Sequence, residues 1–442
     1  MEHIQRSILV GFLVLVLSAC SVPQNETLHP EPTEPPAQET ETAEPTPVPF
    51  TATPEPLPIN EELIPSGFLW ADPATDMVIL ADKNGEKLQE LQIPNYSVGQ
   101  IGAPLIHTSG NVSGDLDSAL LFFSSRLSHV TSYDGQKLNP LFVLPTDINP
   151  DFTNTVVSPG SLVMAVGVID ADSRNAFREA HFAAPTESAD EATSEPLTIQ
   201  SWIYAFSPEK SYVFEAALSR AEDNYVLRPL AVTHEANEMT GIWYTLQSEG
   251  VMGGGPVFFT GYRGLFYLDT TTNQSQGLLT DIKGGRLVIS PDTTLVVIAD
   301  FSDEDNPAIN VTNLATGVLQ NSIAAMPNTV GFIISDTGSV HISPSNHNIA
   351  WASVIMDDSE ISTAIQVTSL IDKATYRIDE QALKAKFTNQ DYHSFNVVGW
   401  LDDETMLIET KYAGGVDLYS MSFDGSEIDY LVAGYFAGFV YP

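Results

Sequence analysis

A strand–turn–strand unit that recurs along the chain constrains its fold more than any other feature. From Gly67 onward, short apolar or alternating runs follow one another, separated by Gly, Asn, Asp and Pro, as is typical of β-strands joined by turns. The clearest copies are LVISPDTTLVVIADF at 287–301 and VHISPSNHNIAWASV at 340–354. Only DEQALKAKF at 379–387 is typical of a helix, so the pattern predicts an all-β fold.

Each copy continues through a loop into a second hairpin, so one unit contains four strands. Four antiparallel strands repeated along a chain are typical of β-propeller blades. We count seven units, and six or eight stay open because units two and four are the weakest. The units cover residues 67–94, 97–145, 153–218, 224–280, 284–327, 341–387 and 394–432. The first shows only three strands, and we expect the C-terminal strand YFAGFVYP at 435–442 to complete it and close the ring.

The turn residues of these units resemble a known family. Ser-Pro-Asp at 290–292 is similar to the repeats of TolB-like, WD40-like β-propellers, and the triplets at 158–160 and 343–345 match in part. Trp-Leu-Asp-Asp at 400–403 stands at the same place in the last unit. The resemblance implies a single propeller domain over residues 67–442. It implies a fold more than a function, because propellers host both binding and catalysis.

The N-terminus resembles the signal of a bacterial lipoprotein. The apolar run at 8–17 is too short to cross a hydrocarbon core of about 30 Å as a helix, and it fits the central region of a signal peptide. It leads into Leu-Ser-Ala-Cys at 17–20, which is similar to a lipobox. The resemblance implies a lipoprotein signal over residues 1–20, with lipid attached to Cys20, the only cysteine in the chain. An ordinary secreted protein with a chance cysteine is the alternative.

Residues 21–66 predict a linker between this signal and the propeller. Pro, Thr and Glu dominate the segment, and it contains neither Lys nor Arg. Such a composition cannot bury a core, so we expect a disordered, extended spacer. The protein is therefore predicted to be held at the membrane by its lipid, in the bacterial cell envelope and facing outside the cytoplasm.

The charge of the chain limits which classes of partner it can bind. It has 18 Lys and Arg against 57 Asp and Glu, which gives a net charge of −39. Such a chain repels nucleic acid, so we expect no nucleic-acid partner. An envelope protein or a glycan is the expected ligand, and we expect a monomer. The insertion at 170–200 is polar, acidic and without periodicity, which favours disorder over a functional loop.

The sequence contains no motif that identifies a catalytic residue. The motifs G-x-S-x-G and H-E-x-x-H are absent from the sequence, and the nine histidines form no sequence cluster. The best metal candidate is the acidic stretch with Asp300, Asp303, Glu304 and Asp305, whose oxygen ligands suit Ca²⁺. Its spacing is not that of an EF-hand, and a solvated hairpin tip is the alternative. No other cofactor is predicted.

These observations favour a non-catalytic binding or protein-interaction module on a propeller. A propeller hydrolase acting on polysaccharide is the alternative, because acidic residues that could form a catalytic pair are abundant. A structural scaffold of the envelope without a small ligand is a third interpretation.

Overall fold

The structure is a computed structural model of the chain. It describes residues 61–91 except 73 and 76, 106–109, 120–124, 129–133, 138–143, 150–159, 163–182, 198–207, 211–215, 225–235, 238–248, 262–283, 286–300, 308–324, 329–332, 340–357, 360–387 and 392–441. All of them belong to one compact unit, Leu57–Pro442. The predicted signal, Cys20 and most of the predicted linker lie outside the described residues.

The described residues form an all-β propeller of six sheets. The first sheet has eight strands: β1 (Gly67–Asp72), β2 (Met77–Asp82), β3 (Lys87–Leu91), β4 (Ile106–Ser109), β5 (Leu120–Ser124), β6 (His129–Tyr133), β7 (Leu138–Val143) and the C-terminal β29 (Tyr435–Tyr441). The second sheet has four: β8 (Pro150–Val157), β9 (Met164–Asp170), β10 (Ser201–Phe206) and β11 (Ser211–Glu215). The third also has four: β12 (Tyr225–Glu235), β13 (Glu238–Ser248), β14 (Tyr262–Asp269) and β15 (Gln274–Lys283).

The remaining three sheets follow in chain order. The fourth contains β16 (Arg286–Ile289), β17 (Leu295–Asp300), β18 (Ala308–Asn313) and β19 (Leu319–Ala324). The fifth has five strands, β20 (Thr329–Phe332), β21 (Val340–Ile342), β22 (Asn348–Asp357), β23 (Glu360–Ser369) and β24 (Thr375–Asp379). The sixth contains β25 (Tyr392–Trp400), β26 (Thr405–Tyr412), β27 (Gly415–Ser422) and β28 (Ile428–Ala433).

The C-terminal strand β29 closes the ring as the sequence predicts. It pairs antiparallel with β1, from Gly67 opposite Val440 to Ala71 opposite Tyr435. It also pairs in parallel with β4 over two residue pairs, and this pairing joins the eight-stranded sheet. That sheet therefore contains two four-stranded units, β29-β1-β2-β3 and β4 to β7. Counted as sheets the described propeller has six members, within the predicted range. For description, the four-stranded units are numbered as blades 1–7 in chain order, so that the eight-stranded sheet contains blades 1 and 2.

Apolar clusters fill the spaces between neighbouring blades. One cluster joins blades 6 and 7 through residues such as Ile365 and Phe395, and another joins blades 4 and 5 through Leu265 and Leu287. Further clusters join blades 3 and 4, blades 5 and 6, and blades 7 and 1. Blades 4 to 7 thus have apolar partners on both faces, which explains why strands such as LVVIAD in blade 5 read as continuous apolar runs.

A serine side chain organises the Ser-Pro turn of blade 5. Ser290 Oγ accepts hydrogen bonds from the backbone N–H groups of Thr294 (3.2 Å) and Leu295 (2.9 Å). Thr293 has a φ of 57°, in the left-handed region, so the turn is tight. Backbone donors that the hairpin leaves unpaired are thereby satisfied within the turn. Ser290 and Asp292 therefore act in a blade turn, as the sequence predicts.

The corresponding turn of blade 6 repeats this geometry. Ser343 Oγ accepts from the N–H groups of His347 and Asn348, each at 3.1 Å. Asn346 takes the left-handed position with a φ of 61°. In blade 7, where the sequence has Asp402 instead of serine, the carboxylate accepts from the N–H of Thr405 at 2.8 Å. The repeated turn residues thus have the same local function in all three blades.

These turns also connect neighbouring blades. Asn346 Nδ2 of blade 6 donates to Asp292 Oδ2 of blade 5 at 2.7 Å. On the other side, the Ser345 N–H donates to Asp403 Oδ1 of blade 7 at 2.9 Å, and Asn348 Nδ2 donates to the Asp403 carbonyl at 2.8 Å. The turns of blades 5, 6 and 7 therefore form one hydrogen-bonded series at one end of the propeller.

The expectation of disorder over 170–200 is wrong for its first part, which is the helix α1 (Ala171–Phe182). Asp170 caps the helix, because its Oδ2 accepts from the Ser173 N–H at 2.9 Å. Arg174 pairs with Asp151, and the Phe177 ring is only 3% exposed. These contacts fix the helix despite its polar composition. Residues 183–197 lie outside the described part of the chain.

Two other boundaries differ from the sequence prediction or refine it. Blade 6 begins at β20, before the predicted residue 341, because its first strand is divided into β20 and β21, which both pair with β22. The predicted helix near 379–387 is confirmed as the short helix α2 (Glu380–Lys384), with Leu383 buried. Among the described residues, no helix is long and apolar enough to span a bilayer.

Candidate functional site

The starts of blades 4 and 5 bring arginine and tyrosine side chains together. Arg228 lies in β12, the first strand of blade 4, and Arg286 begins β16, the first strand of blade 5. Tyr262 begins β14, which runs parallel to β12 because both strands are antiparallel to β13. The strand directions therefore place Tyr262 at the same end of blade 4 as Arg228.

Two guanidinium groups contact the single tyrosine ring. The Cζ atoms of Arg286 and Arg228 lie 5.3 Å and 5.8 Å from the centroid of the Tyr262 ring. Arg286 Nη1 donates to the Tyr262 hydroxyl at 2.9 Å, and Arg228 Nη1 donates to Gln247 Oε1 at 3.0 Å. Tyr262 is buried, whereas Arg228, Arg286 and Gln247 are half-buried. We call these four residues the arginine cluster.

Two like charges stand close together in this cluster. Burial lowers the pKa of the Arg228 guanidinium; Tyr262 acts in the opposite direction, and the positive charge of Arg286 lowers it further. Arg286 forms no ion pair in the part of the chain that the structure describes. An anionic or strongly hydrogen-bond-accepting group at this position would therefore relieve a repulsion already present in the protein.

The chemistry of the arginine cluster favours binding over catalysis. Guanidinium groups are hydrogen-bond donors that stay protonated, so neither arginine can serve as a general base at neutral pH. The Tyr262 hydroxyl already accepts a hydrogen bond from Arg286. The four side chains supply no thiol, carboxylate or imidazole, so the cluster can hold an acceptor group but offers no activated nucleophile.

No motif identifies the arginine cluster in the sequence, and our sequence predictions do not include it. Gln247 and Arg228 are 19 positions apart, and Arg286 and Tyr262 are 24 positions apart. Only the pairing of strands within a blade and the packing of adjacent blades bring them together. The one sequence feature that points to the cluster is the small number of basic residues. The chain has only 18 Lys and Arg, yet several of them occur near the ends of these strands.

The two buried carboxylates among the described residues belong to blade 7 and lie on opposite faces of its sheet. Glu409 and Asp417 are 7% and 5% exposed. In the antiparallel register, Glu409 lies opposite Leu418, whereas Asp417 lies opposite Thr410. Because side chains alternate between the two faces of a strand, Glu409 and Asp417 point in opposite directions. They therefore do not form the paired carboxylates that a glycosidase requires.

Each of these carboxylates has its own partners. Glu409 Oε1 pairs with Lys411 Nζ at 3.3 Å, and its Oε2 accepts from the Phe436 N–H of the closing strand at 3.4 Å. Burial raises the pKa of the Asp417 carboxyl, while hydrogen bonds from Tyr412 and Tyr419 act in the opposite direction. Both acids thus have contacts that stabilise the blade.

Most of the predicted Ca²⁺ candidates lie outside the described residues. Asp303, Glu304 and Asp305 belong to this undescribed part, and of Asp300 only the backbone position, at the end of β17, is described. Asp357 ends β22, the second strand of blade 6, so its backbone position is equivalent to that of Asp300 in blade 5. Within the described residues, no group of three or more His, Cys, Asp or Glu could hold a metal ion. Ca²⁺ binding at 300–305 stays a prediction.

A half-buried histidine lies between blades 6 and 7. His341 is in β21, and its ring is hydrogen-bonded to the Val397 carbonyl of β25. Its Nε2 is buried and has no hydrogen-bond partner, and burial lowers the pKa of the imidazole to about 4. Trp400 Nε1 donates to the His341 carbonyl at 3.1 Å. The imidazole is therefore neutral at pH 7 and belongs to the contact between these blades.

Comparison with known proteins finds solved structures of similar fold but no matching family. No family model matches the chain, and no curated protein matches it. Among solved structures, it is similar to a puromycin hydrolase mutant complexed with PGG, at 12% sequence identity and a TM-score of 0.50. That match covers 86% of this chain but only 56% of the hydrolase chain.

Two further solved structures show weaker likeness. An oligogalacturonate lyase in complex with manganese has 12% identity and a TM-score of 0.49, over 78% of this chain and 82% of that one. TolB from Acinetobacter baumannii has 10% identity and a TM-score of 0.36, over 82% of this chain and 79% of that one. At these identities the likeness concerns the fold alone, and the chemistry has to be argued from the residues.

Proposed function

We propose that this chain is a lipid-anchored β-propeller lipoprotein that acts at the bacterial cell envelope, outside the cytoplasm, as a non-catalytic binding module. The observation that carries the proposal is the arginine cluster. Its hydrogen-bond donors lie at one end of two adjacent blades, without an activated nucleophile among them. The expected partner is an envelope protein or a glycan.

The sequence supports the location. The segment LSAC at 17–20 resembles a lipobox, and a diacylated or triacylated Cys20 would exceed what stable membrane anchoring requires. The linker at 21–66 would extend up to about 140 Å if it adopted a polyproline II conformation. We infer that this linker presents the propeller at a distance from the membrane surface.

Membrane attachment is tested by fractionating cells that express the full chain or its Cys20→Ala variant. We expect the wild type in the membrane fraction and the variant in the soluble fraction, because the variant lacks the sulfur that carries the lipid. A Ser18→Thr variant serves as the control, since it leaves the cysteine in place. Retention of Cys20→Ala in the membrane would contradict lipid anchoring.

Binding is tested with the full-length Cys20→Ala chain, which removes the lipid but keeps the linker and the propeller. Immobilised protein is incubated with a detergent extract of cell envelopes, and an unrelated acidic propeller is the control. We expect a protein or glycan to be enriched over that control. If nothing is enriched, and the purified chain instead releases reducing ends from envelope polysaccharide, the hydrolase alternative replaces the proposed function.

A further inference from the structure

The arginine cluster is unusual in its electrostatic setting. The chain carries a net charge of −39, yet Arg228 and Arg286 meet at one tyrosine ring. Arg263 lies beside Tyr262 in β14, and it pairs in register with Lys283. Four of the 18 basic residues of the chain therefore lie near one end of blade 4 and the start of blade 5.

The contacts of the cluster hold its donors in fixed positions. Tyr262 is only 2% exposed, and its hydroxyl and ring fix both guanidinium groups from the buried side. Gln247 also holds Arg228, because its Oε1 accepts a hydrogen bond from Arg228 Nη1. Each guanidinium has five N–H donors in a planar arrangement, and each arginine is half-buried, so part of its surface still faces solvent. Donors that are oriented in advance lose less entropy when a ligand binds.

The chemistry of these donors selects the ligand group. Planar guanidinium groups match the two oxygens of a carboxylate and can donate two parallel hydrogen bonds to it. The overall negative charge of the protein opposes highly charged ligands at long range, whereas one carboxylate meets two positive charges within the cluster. A ligand that is neutral apart from a single carboxylate is therefore favoured over a polyanion.

We propose that Arg228 and Arg286 bind the carboxylate group of a small ligand, with Tyr262 and Gln247 positioning the two guanidinium groups. This inference deepens the proposed function and rests on it, since it names the chemical group that the propeller recognises. The carboxylate could belong to a sugar acid or to a peptide C-terminus, and both sources present the same planar acceptor.

The test is isothermal titration calorimetry on the full-length Cys20→Ala chain with matched probe pairs. Glucuronate is compared with glucose, and N-acetylalanine with N-acetylalaninamide, so that each pair differs in the carboxylate. Inorganic phosphate is the third probe. We expect at least one carboxylate probe to bind while its neutral partner and phosphate do not, and the pair that responds identifies the source.

The variant Arg286→Gln removes one guanidinium, and we expect it to weaken binding of the carboxylate probe about 10-fold or more. Arg263→Gln is the matched control, because it removes an arginine from the same region of blade 4. The Arg263 guanidinium lies 5.5 Å from the Tyr225 ring, and Arg263 follows Tyr262 in β14, so the two side chains point to opposite faces. We expect Arg263→Gln to change the affinity less than about 2-fold.

Several outcomes would overturn the inference. They are equal binding of the carboxylate and neutral probes, tighter binding of phosphate than of either carboxylate, and equal weakening by the two glutamine variants. If Arg286→Gln does not fold, Arg286→Lys keeps the charge but loses the planar donor pair, and unchanged affinity in that variant contradicts the inference. If Arg286→Gln retains the envelope partner as well as wild type does, the inference fails while the proposed function stands.

Discussion

The contacts between blades 4 and 5 and between blades 6 and 7 show two different uses of the same architecture. Between blades 6 and 7, buried apolar side chains such as Phe395 and Ile365 fill the space, and the half-buried His341 has a neutral ring. Between blades 4 and 5, an apolar cluster also forms, but at one end it gives way to Arg228, Arg286 and their tyrosine.

The difference separates stability from recognition. Removing atoms from a closely packed apolar contact lowers the free energy of unfolding, because the surrounding atoms fill the resulting cavity only in part. Half-buried arginines add little to folding, since their charge is largely solvated in the unfolded chain and partly solvated in the folded one. Substitutions between blades 6 and 7 should therefore affect mainly stability, and substitutions in the arginine cluster mainly binding.

The largest expected effect is that of Phe395→Ala between blades 6 and 7. Phe395 is fully buried, so its truncation should reduce the free energy of unfolding by about 3–5 kcal/mol. Urea denaturation monitored by circular dichroism measures the change. The control is Leu319→Ala in β19, where the side chain is 54% exposed and a change below about 0.5 kcal/mol is expected. Similar losses in the two variants would contradict the assignment of this contact as a core.

His341 should make the contact between blades 6 and 7 sensitive to acid. The pKa of its imidazole is about 4 in the folded state against the ordinary value of 6.5, so the unfolded chain binds more protons between these two pH values. Stability should therefore fall by up to about 3 kcal/mol as the pH is lowered from 7 to 4. The variant His341→Asn keeps a donor for the Val397 carbonyl but has no imidazole to protonate. We therefore expect the part of the stability loss between pH 7 and 4 that is due to His341 to be absent in this variant. Equal pH slopes for the variant and wild type would show that His341 is not the group responsible.

The turn of blade 7 offers a smaller test of how blades are joined. Asp403→Ala removes the acceptor of the Ser345 N–H, so a loss of about 1–2 kcal/mol is expected on denaturation. Asp429→Ala removes an exposed carboxylate from the outer strand β28 of the same blade and should change stability by less than about 0.5 kcal/mol. If both variants unfold at the same denaturant concentration, the contact between the turns contributes nothing measurable.

The effect of Arg286→Gln on stability should be smaller than that of Phe395→Ala or Asp403→Ala. The cation–π contact of Arg286 with Tyr262 is half-buried, and such contacts contribute about 0.5–1 kcal/mol near a surface. Thermal denaturation without ligand should therefore differ little from that of wild type. A loss as large as that of Phe395→Ala would remove the distinction between the two regions, because Arg286 would then be mainly a structural residue.

Local pattern was sufficient to predict the units of the fold. The turn Ser290-Pro291-Asp292 is specified by side chains that accept hydrogen bonds from the backbone within five positions, and such contacts can be read from adjacent residues. The completing strand at 435–441 was predictable because an unfinished first unit leaves an open edge that needs a partner. The same local reasoning failed for α1, since Phe177 and Arg174 stabilise it through contacts outside the helix.

The sequence by itself determined the strand content, the repeated turns and the strongly negative charge, because each depends on neighbouring residues or on composition, and it predicts a lipid signal at Cys20. Only the tertiary structure decided which side chains meet. It brought Arg228, Tyr262 and Arg286 together across two blades, and it turned Glu409 and Asp417 to opposite faces of one sheet. The physical reason is that strand register and blade packing join residues far apart in the chain.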